Sequence, residues 1–250
     1  FFVTDVLDRS MPTFYEDLRA AIGRIYGDEG KHVDIPNLVN FGSWFGGDMD
    51  GNPNVNAKTI RATLARQRAL ILDLYYNECA SIGAKLSQSS DRAEFGQGML
   101  DKIEEYRGIF PNAYHAVPAR HRDMPYRVFL RLVQARLQST YDDDIYPYEK
   151  VEQLTADIEL IAESLTFHKG QHAGLFVVKR LLRRIRTFGF HMITLDVRQD
   201  AEVHRKVIGE CLGDDEWMER PASERAARII DAIGQRENPP MTLSTLARKT

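Results

Sequence analysis

Apolar residues recur at three- and four-residue steps over most of this chain, the spacing that lines one face of an α-helix. Val151, Leu154, Ile158, Ile161 and Leu165 step this way without a break, and Leu175, Val178, Leu181, Leu182 and Ile185 follow. The two stretches meet near Gly170 and Gly174 and predict a pair of antiparallel helices. Phe14, Leu18, Ile22 and Ile25 mark an earlier helix, ended by Gly27 and Gly30. The Asn54–Asn56 region can cap a long helix from about Ala57 to Ile82, with Ile60, Leu64, Ile71, Leu74 and Tyr75 facing inward. A polar break at 83–90 precedes a helix over 91–107. Residues 108–124 carry Gly108, Pro111, Pro118 and several His and Arg, the mark of a connecting loop. Pro125 suits a first helical turn, and Phe129, Leu132, Val133 and Leu137 line the helix after it. Tyr141 to Pro147 reads as a turn. Phe190 to Val197 is short, apolar and β-branched, which predicts a buried strand with Arg198 at or just past its end. Helices are expected at 201–212 and 222–235, with another beginning at Thr242.

These elements predict a mainly α fold with one or two short strands, taken as a single body over 1–250. A division into 1–107 and 125–250 across the loop 108–124 is the alternative. Hydrophobic residues make up 43% and charged residues 28% of the chain, the balance of a soluble globular protein. The net charge of −3 makes no electrostatic case for nucleic acid or an anionic membrane. No apolar run approaches a membrane span. Cys79 and Cys211 have no metal-ligand or redox spacing, and a reducing cytoplasm is expected. The chain opens Phe1-Phe2-Val3-Thr4 and stops at Ala247-Arg248-Lys249-Thr250, so both ends read as cut from a longer protein.

The densest chemistry lies at 42–54. Four glycines, two carboxylates, Trp44 and Pro53 share thirteen positions. Gly lets backbone approach a ligand closely, and Asp and Asn close tight turns on their own backbone. Asp48, Asp50 and Asn52 superficially resemble a calcium loop. Counted from Asp48, however, the sixth position is Pro53 and the twelfth Thr59; counted from Asp50 they are Val55 and Arg61. Their expected work is to tie down the loop and cap the next helix. Trp44 is either core or pocket wall. Arg198 offers a planar fork for phosphate or carboxylate; its ordinary fate is a salt bridge to Asp196 or Asp200.

Gly42, Ser43, Trp44, Gly46, Gly47, Asp48, Asp50, Gly51, Asn52, Pro53, Asn54 and Val55 match the signature loop of phosphoenolpyruvate carboxylases, which this chain therefore resembles. Thr194 to Asp200 followed by His204, and Pro125-Tyr126-Arg127, resemble two further motifs of that family, in family order. Met49 departs from the pattern, which has Arg there. The resemblance implies an internal fragment of a bacterial-type enzyme, a helix-rich elaboration of an α/β barrel, with barrel strands near 41–46 and 191–197. The family is a carbon–carbon lyase that fixes carbon dioxide. It joins phosphoenolpyruvate and bicarbonate into oxaloacetate and phosphate for the tricarboxylic acid cycle, with Mg²⁺ or Mn²⁺, as a cytoplasmic homo-oligomer, usually a tetramer. Nucleic acid and membrane are not expected partners. The resemblance places Arg198 on the substrate phosphate and Trp44 on the methylene side, with Gly46, Gly47, Asp48, Asp50 and Asn52 ordering the site. No catalytic or metal-binding residue of the family falls in this stretch, so the 250-residue chain is expected to be inactive and to hold no metal.

Three other features remain. Lys179, Arg180, Arg183, Arg184 and Arg186 put five cations in eight residues; a solvated helix face, a phosphate or nucleic-acid patch and contact with an acidic surface are all open readings. A non-enzymatic helical scaffold docking an acidic partner through 179–186, or a degenerate carboxylase homologue given Met49, are the alternatives in function. His168 and His172 stand four apart, but Gly170 between them argues against a zinc pair.

Overall fold

The computed structural model describes residues 2–31, 33–167 and 170–234. His168 and the helix expected from Thr242 lie outside them. The chain forms two compact units, one of Phe1–Phe41 and Arg66–Ile193, the other of Gly42–Ala65 and Thr194–Thr250, whose described part ends at Gly234. The fold is mainly α, with two short parallel strands among the described residues.

The larger unit begins with a π-helical turn, Phe2–Leu7, and α1, Asp8–Lys31, which breaks at Gly27 (φ 62°). The second helix, α2, runs Ala57–Lys85 and belongs to this unit from Arg66 onward. It is followed by α3 (Gln97–Ile109), α4 (Pro111–His115), α5 (Pro125–Asp142), α6 (Val151–Phe167) and α7 (Leu175–Phe188). The apolar stripes of α5, α6 and α7 are buried as their spacing requires: Phe129, Leu132, Leu154, Ile158, Ile161, Leu165, Val178, Leu181 and Ile185 are all sealed from solvent. α6 and α7 make the most extensive helix pairing. Removing such stripes from water is the main source of helical stability in a protein of this kind.

Several expectations are corrected here. The buried face of α1 carries Asp8, Met11 and Tyr15, whereas Phe14 and Ile25 are exposed. Leu64 is exposed too; the inward face of α2 is Ile71, Leu72, Tyr75, Cys79 and Ile82. The helix expected over 91–107 starts at Gln97, because the Gly96 N–H is taken by Ser164 Oγ (3.0 Å) from α6. The presumed loop 108–124 contains α4 and a 3-10 turn at Ala119–His121. Pro111 does not break structure there; it occupies the first turn of α4, where its missing N–H costs nothing.

The smaller unit holds β1 (Gly42–Ser43), the first part of α2, β2 (Thr194–Leu195), α8 (Ala201–Cys211) and α9 (Ala222–Gly234). β1 and β2 pair in parallel, Gly42 opposite Thr194 and Ser43 opposite Leu195. The buried strand expected over Phe190–Val197 is thus two residues long and not buried: Thr194, Asp196 and Val197 are exposed. Phe190 and Met192 supplied the apolar signal, but they pack in the larger unit's core within the turn that closes α7, where the Met192 N–H donates to the Phe188 carbonyl (2.9 Å). Asp200 caps α8, its Oδ1 accepting from the Glu202 N–H (2.6 Å). No helix among the described residues is long and apolar enough to cross a membrane.

Candidate functional site

The site lies in the smaller unit, at the carboxyl ends of its two strands. Trp44 follows β1 directly, and Arg198 lies just past β2. Because the strands are parallel, both residues leave the pair at the same end, the end where parallel α/β sheets carry ligand-binding residues.

Backbone hydrogen bonds fix the loop between them. The Gly47 and Asp48 N–H groups both donate to the Trp44 carbonyl (2.9 and 3.1 Å), which closes a tight turn. The Met49 N–H then donates to the Arg198 carbonyl (2.8 Å), and the Arg198 N–H to the Gly47 carbonyl (2.9 Å). This bridge between Asp48 and Arg198 carries the parallel pairing beyond β1 and β2. Two glycines are needed to get there. Gly46 has φ +86°, and a Cβ on it would collide with Thr63 Oγ1 of α2. A Cβ on Gly47 would drive into the Asp196 carbonyl. Further on, Asn52 Oδ1 accepts from the Asn54 N–H (3.1 Å), an Asx turn. The cap of α2 falls to Asn56, whose Oδ1 accepts from the Lys58 and Thr59 N–H groups (3.0 and 3.2 Å). Asp50 is exposed.

The side chains converge as follows. Arg198 is 56% exposed, and its Nη1 lies 3.8 Å from Asp48 Oδ2, close enough for charge attraction but too long for a hydrogen bond. The guanidinium sits 5.9 Å from the centre of the Trp44 ring. The expected salt bridges to Asp196 or Asp200 are replaced by this looser pairing, since Asp200 is engaged at the α8 cap. Among the described residues no acceptor takes a hydrogen bond from the Arg198 fork, so its donors stand ready for a ligand. Trp44 is 60% exposed, which excludes the core reading. A guanidinium beside an open aromatic face is chemically suited to take an anionic group and cover an apolar one.

Sequence reasoning missed Thr63, against which Gly46 packs, and the pairing of Asp48 with Arg198. The second depends on a register between segments about 150 residues apart, and the first on how the loop folds back on α2; no local pattern carries either.

The phosphoenolpyruvate carboxylase family model matches residues 1–241. The chain belongs to the phosphoenolpyruvate carboxylase family. It is 44% identical over 227 residues to the phosphoenolpyruvate carboxylase of Xanthomonas euvesicatoria pv. vesicatoria, covering 91% of this chain and 25% of the relative. It is 30% identical over 249 residues to that of Chromobacterium violaceum, covering 96% of this chain and 26% of the relative. The chain thus spans about a quarter of the length of the curated relatives it matches. Of the motifs that resemble this carboxylase family, the Gly42–Val55 loop and the Thr194–Asp200 segment join at the site, by the bonds just described. His204, which follows them, is exposed on α8. The third, Pro125-Tyr126-Arg127, does structural work in the larger unit: Pro125 opens α5, and Arg127 Nη2 donates to the Ala84 carbonyl (2.8 Å) at the end of α2. Met49, where the family pattern has Arg, bonds to Arg198 through its backbone N–H, a bond that does not use its side chain.

Proposed function

We propose that this chain is the substrate-phosphate segment of a cytoplasmic phosphoenolpyruvate carboxylase, a homo-oligomer in its whole form. The whole enzyme would transfer phosphate from phosphoenolpyruvate to bicarbonate, and the resulting enolate would attack the carbon dioxide released from carboxyphosphate, giving oxaloacetate. The observation that supports this reading is the convergence of Arg198 and Trp44 past the ends of two parallel strands. Arg198 would hold the phosphate bidentately through donors that Asp48 orients without occupying. Trp44 would cover the methylene side and keep water from the enolate. The family's Mg²⁺ or Mn²⁺ would supply charge stabilisation. Among the described residues, no three His, Cys, Asp or Glu gather to hold such an ion, and Asp48 faces a guanidinium, so the residues present do not fit it. The 250-residue chain alone should therefore form no oxaloacetate.

The test is bicarbonate-dependent oxaloacetate formation by the full-length protein, wild type against Arg198→Ala. Loss of a preorganised cation at a developing charge should lower kcat/KM by about a hundredfold or more. Full activity in both proteins would leave Arg198 structural; an inactive wild type would favour a degenerate homologue. The scaffold reading is not favoured, because it gives no reason for the Gly42–Val55 loop, which the family match accounts for.

A further inference from the structure

The basic run on α7 has no part in the site around Arg198, and its five cations divide into two groups. Arg184 turns to α1 and α2, pairing with Asp8 (3.4 Å) and Glu78 (3.2 Å). The other four line one side of a cleft of about 630 Å³ whose walls come from α1, α6 and α7. In this cleft Glu16 grips Arg180 with both oxygens (2.7 and 2.6 Å), and Glu159 holds Arg186 (2.6 Å).

Three cations of the cleft, Arg19, Lys179 and Arg183, have no carboxylate within ion-pair distance among the described residues. The Arg183 guanidinium carbon lies 3.9 Å from the centre of the Tyr15 ring, a cation–π contact that anchors it to the wall. Its one hydrogen bond goes from Nη2 to the Ile35 carbonyl (3.1 Å), so most of its five N–H groups point to no protein acceptor. Arg19 likewise spends one donor, on the Val33 carbonyl (3.1 Å). Burial, with the like charges of Arg186 and Arg19, pushes the Arg183 pKa down; Asp34 and Tyr15 offset this only in part. The lining holds five cations against four carboxylates, but Glu16 and Glu159 are taken up by Arg180 and Arg186 and Asp34 only partly offsets the repulsion between Arg19 and Arg183, which an anion bound between them would reduce. Asp34 and Glu163, also on the cleft and in no ion pair among the described residues, would repel a long polyanion such as nucleic acid.

We propose that this cleft binds a compact oxyanion carrying two or more charges, a small phosphorylated or polycarboxylate molecule, with Arg183 and Arg19 as the donors that grip it and Lys179 as a third charge at the rim. The proposal does not depend on the reading of the Arg198 site, which lies in the other unit.

The experiment is isothermal titration of the 250-residue chain with inorganic pyrophosphate and, separately, citrate at low salt. The wild type should bind at least one of them saturably; the tighter of the two tells phosphate from polycarboxylate. Arg19→Gln and Lys179→Gln should each weaken that binding by about tenfold, the worth of one charge-assisted contact. Lys179 is exposed and makes no hydrogen bond or ion pair among the described residues, so its variant tests the idea even if substitutions at Arg183 disturb packing on Tyr15. Arg198→Gln should leave unchanged the affinity that Arg19→Gln weakens. Absence of saturable binding by the wild type, unchanged affinity in both variants, or a loss confined to Arg198→Gln would each overturn the proposal.

Discussion

A methyl group on Gly47 would have nowhere to go. It would meet the Asp196 carbonyl and, at 3.2 Å, Leu195 Cγ, so β2 and the loop would have to separate. The bond from the Arg198 N–H to the Gly47 carbonyl lies in the path of that shift. Gly51, with φ +65° and nothing within 4 Å, is constrained by backbone conformation alone. Gly47→Ala should therefore destabilise the smaller unit by about 2–3 kcal/mol, the usual cost of overpacking. Gly51→Ala should cost about 1 kcal/mol, that of one left-handed non-Gly residue. Urea titration followed by tryptophan emission would rank them; equal costs would mean the loop yields at Gly47. The composition of this segment already announced a shaped loop. The partner of Arg198 was hidden. Asp196 and Asp200 are nearer to it in sequence, but the Asp196 carboxylate lies against Gly42 of β1 and Asp200 is drawn to a helix end.

Helices were readable where one apolar stripe meets one neighbour, as in α6 and α7. They were misread where packing overrides the pattern: Pro111 resembles a breaker but opens α4, and Phe190 resembles a strand residue but belongs to a turn packed on the core. Less visible still was the polar knot joining α3, α5 and α6. Tyr106 and Tyr148 both donate to Asp157 Oδ2 (2.7 and 2.6 Å), and Arg136 lies 3.8 Å from the same oxygen with its guanidinium 4.1 Å from the Tyr148 ring. Arg136 and Asp157 are both almost wholly buried. A charge left alone there would be costly, so Asp157→Ala should destabilise the larger unit by about 3–5 kcal/mol. Replacing both ions, as Arg136→Met with Asp157→Leu, should recover much of that loss, because no charge then remains to be compensated. A double-mutant cycle read by thermal unfolding would decide it; additive losses would mean the two ions act independently.

The two units are built on different physical terms. Nearly every buried large apolar side chain belongs to the larger one, while Trp217 is the one such residue among the described part of the smaller. Apolar burial is what offsets chain entropy, so the smaller unit should unfold first. The chain's two tryptophans, Trp44 and Trp217, both lie in the smaller unit, whereas most of the helix lies in the larger. Tryptophan emission should therefore report a lower urea midpoint than far-ultraviolet circular dichroism. Acid should widen the gap. In the smaller unit a hydrogen bond from Arg220, with Arg228 close by, holds the Asp214 carboxyl below the usual carboxylate range. Its contribution is present above the ordinary carboxylate pKa of about 4 and is lost as pH falls through the depressed value. In the larger unit, burial raises the pKa of Asp8 and of Asp157. Their contribution is full below the ordinary value and is lost as pH rises through the raised one, so acid does not weaken that unit through them. Taking pH from 7 to about 3 should thus lower the emission midpoint more than the dichroism midpoint, and Asp214→Asn should remove much of that difference. Coincident midpoints at every pH would show instead that the units unfold as one, with stability shared across a boundary that the distribution of buried side chains does not reveal.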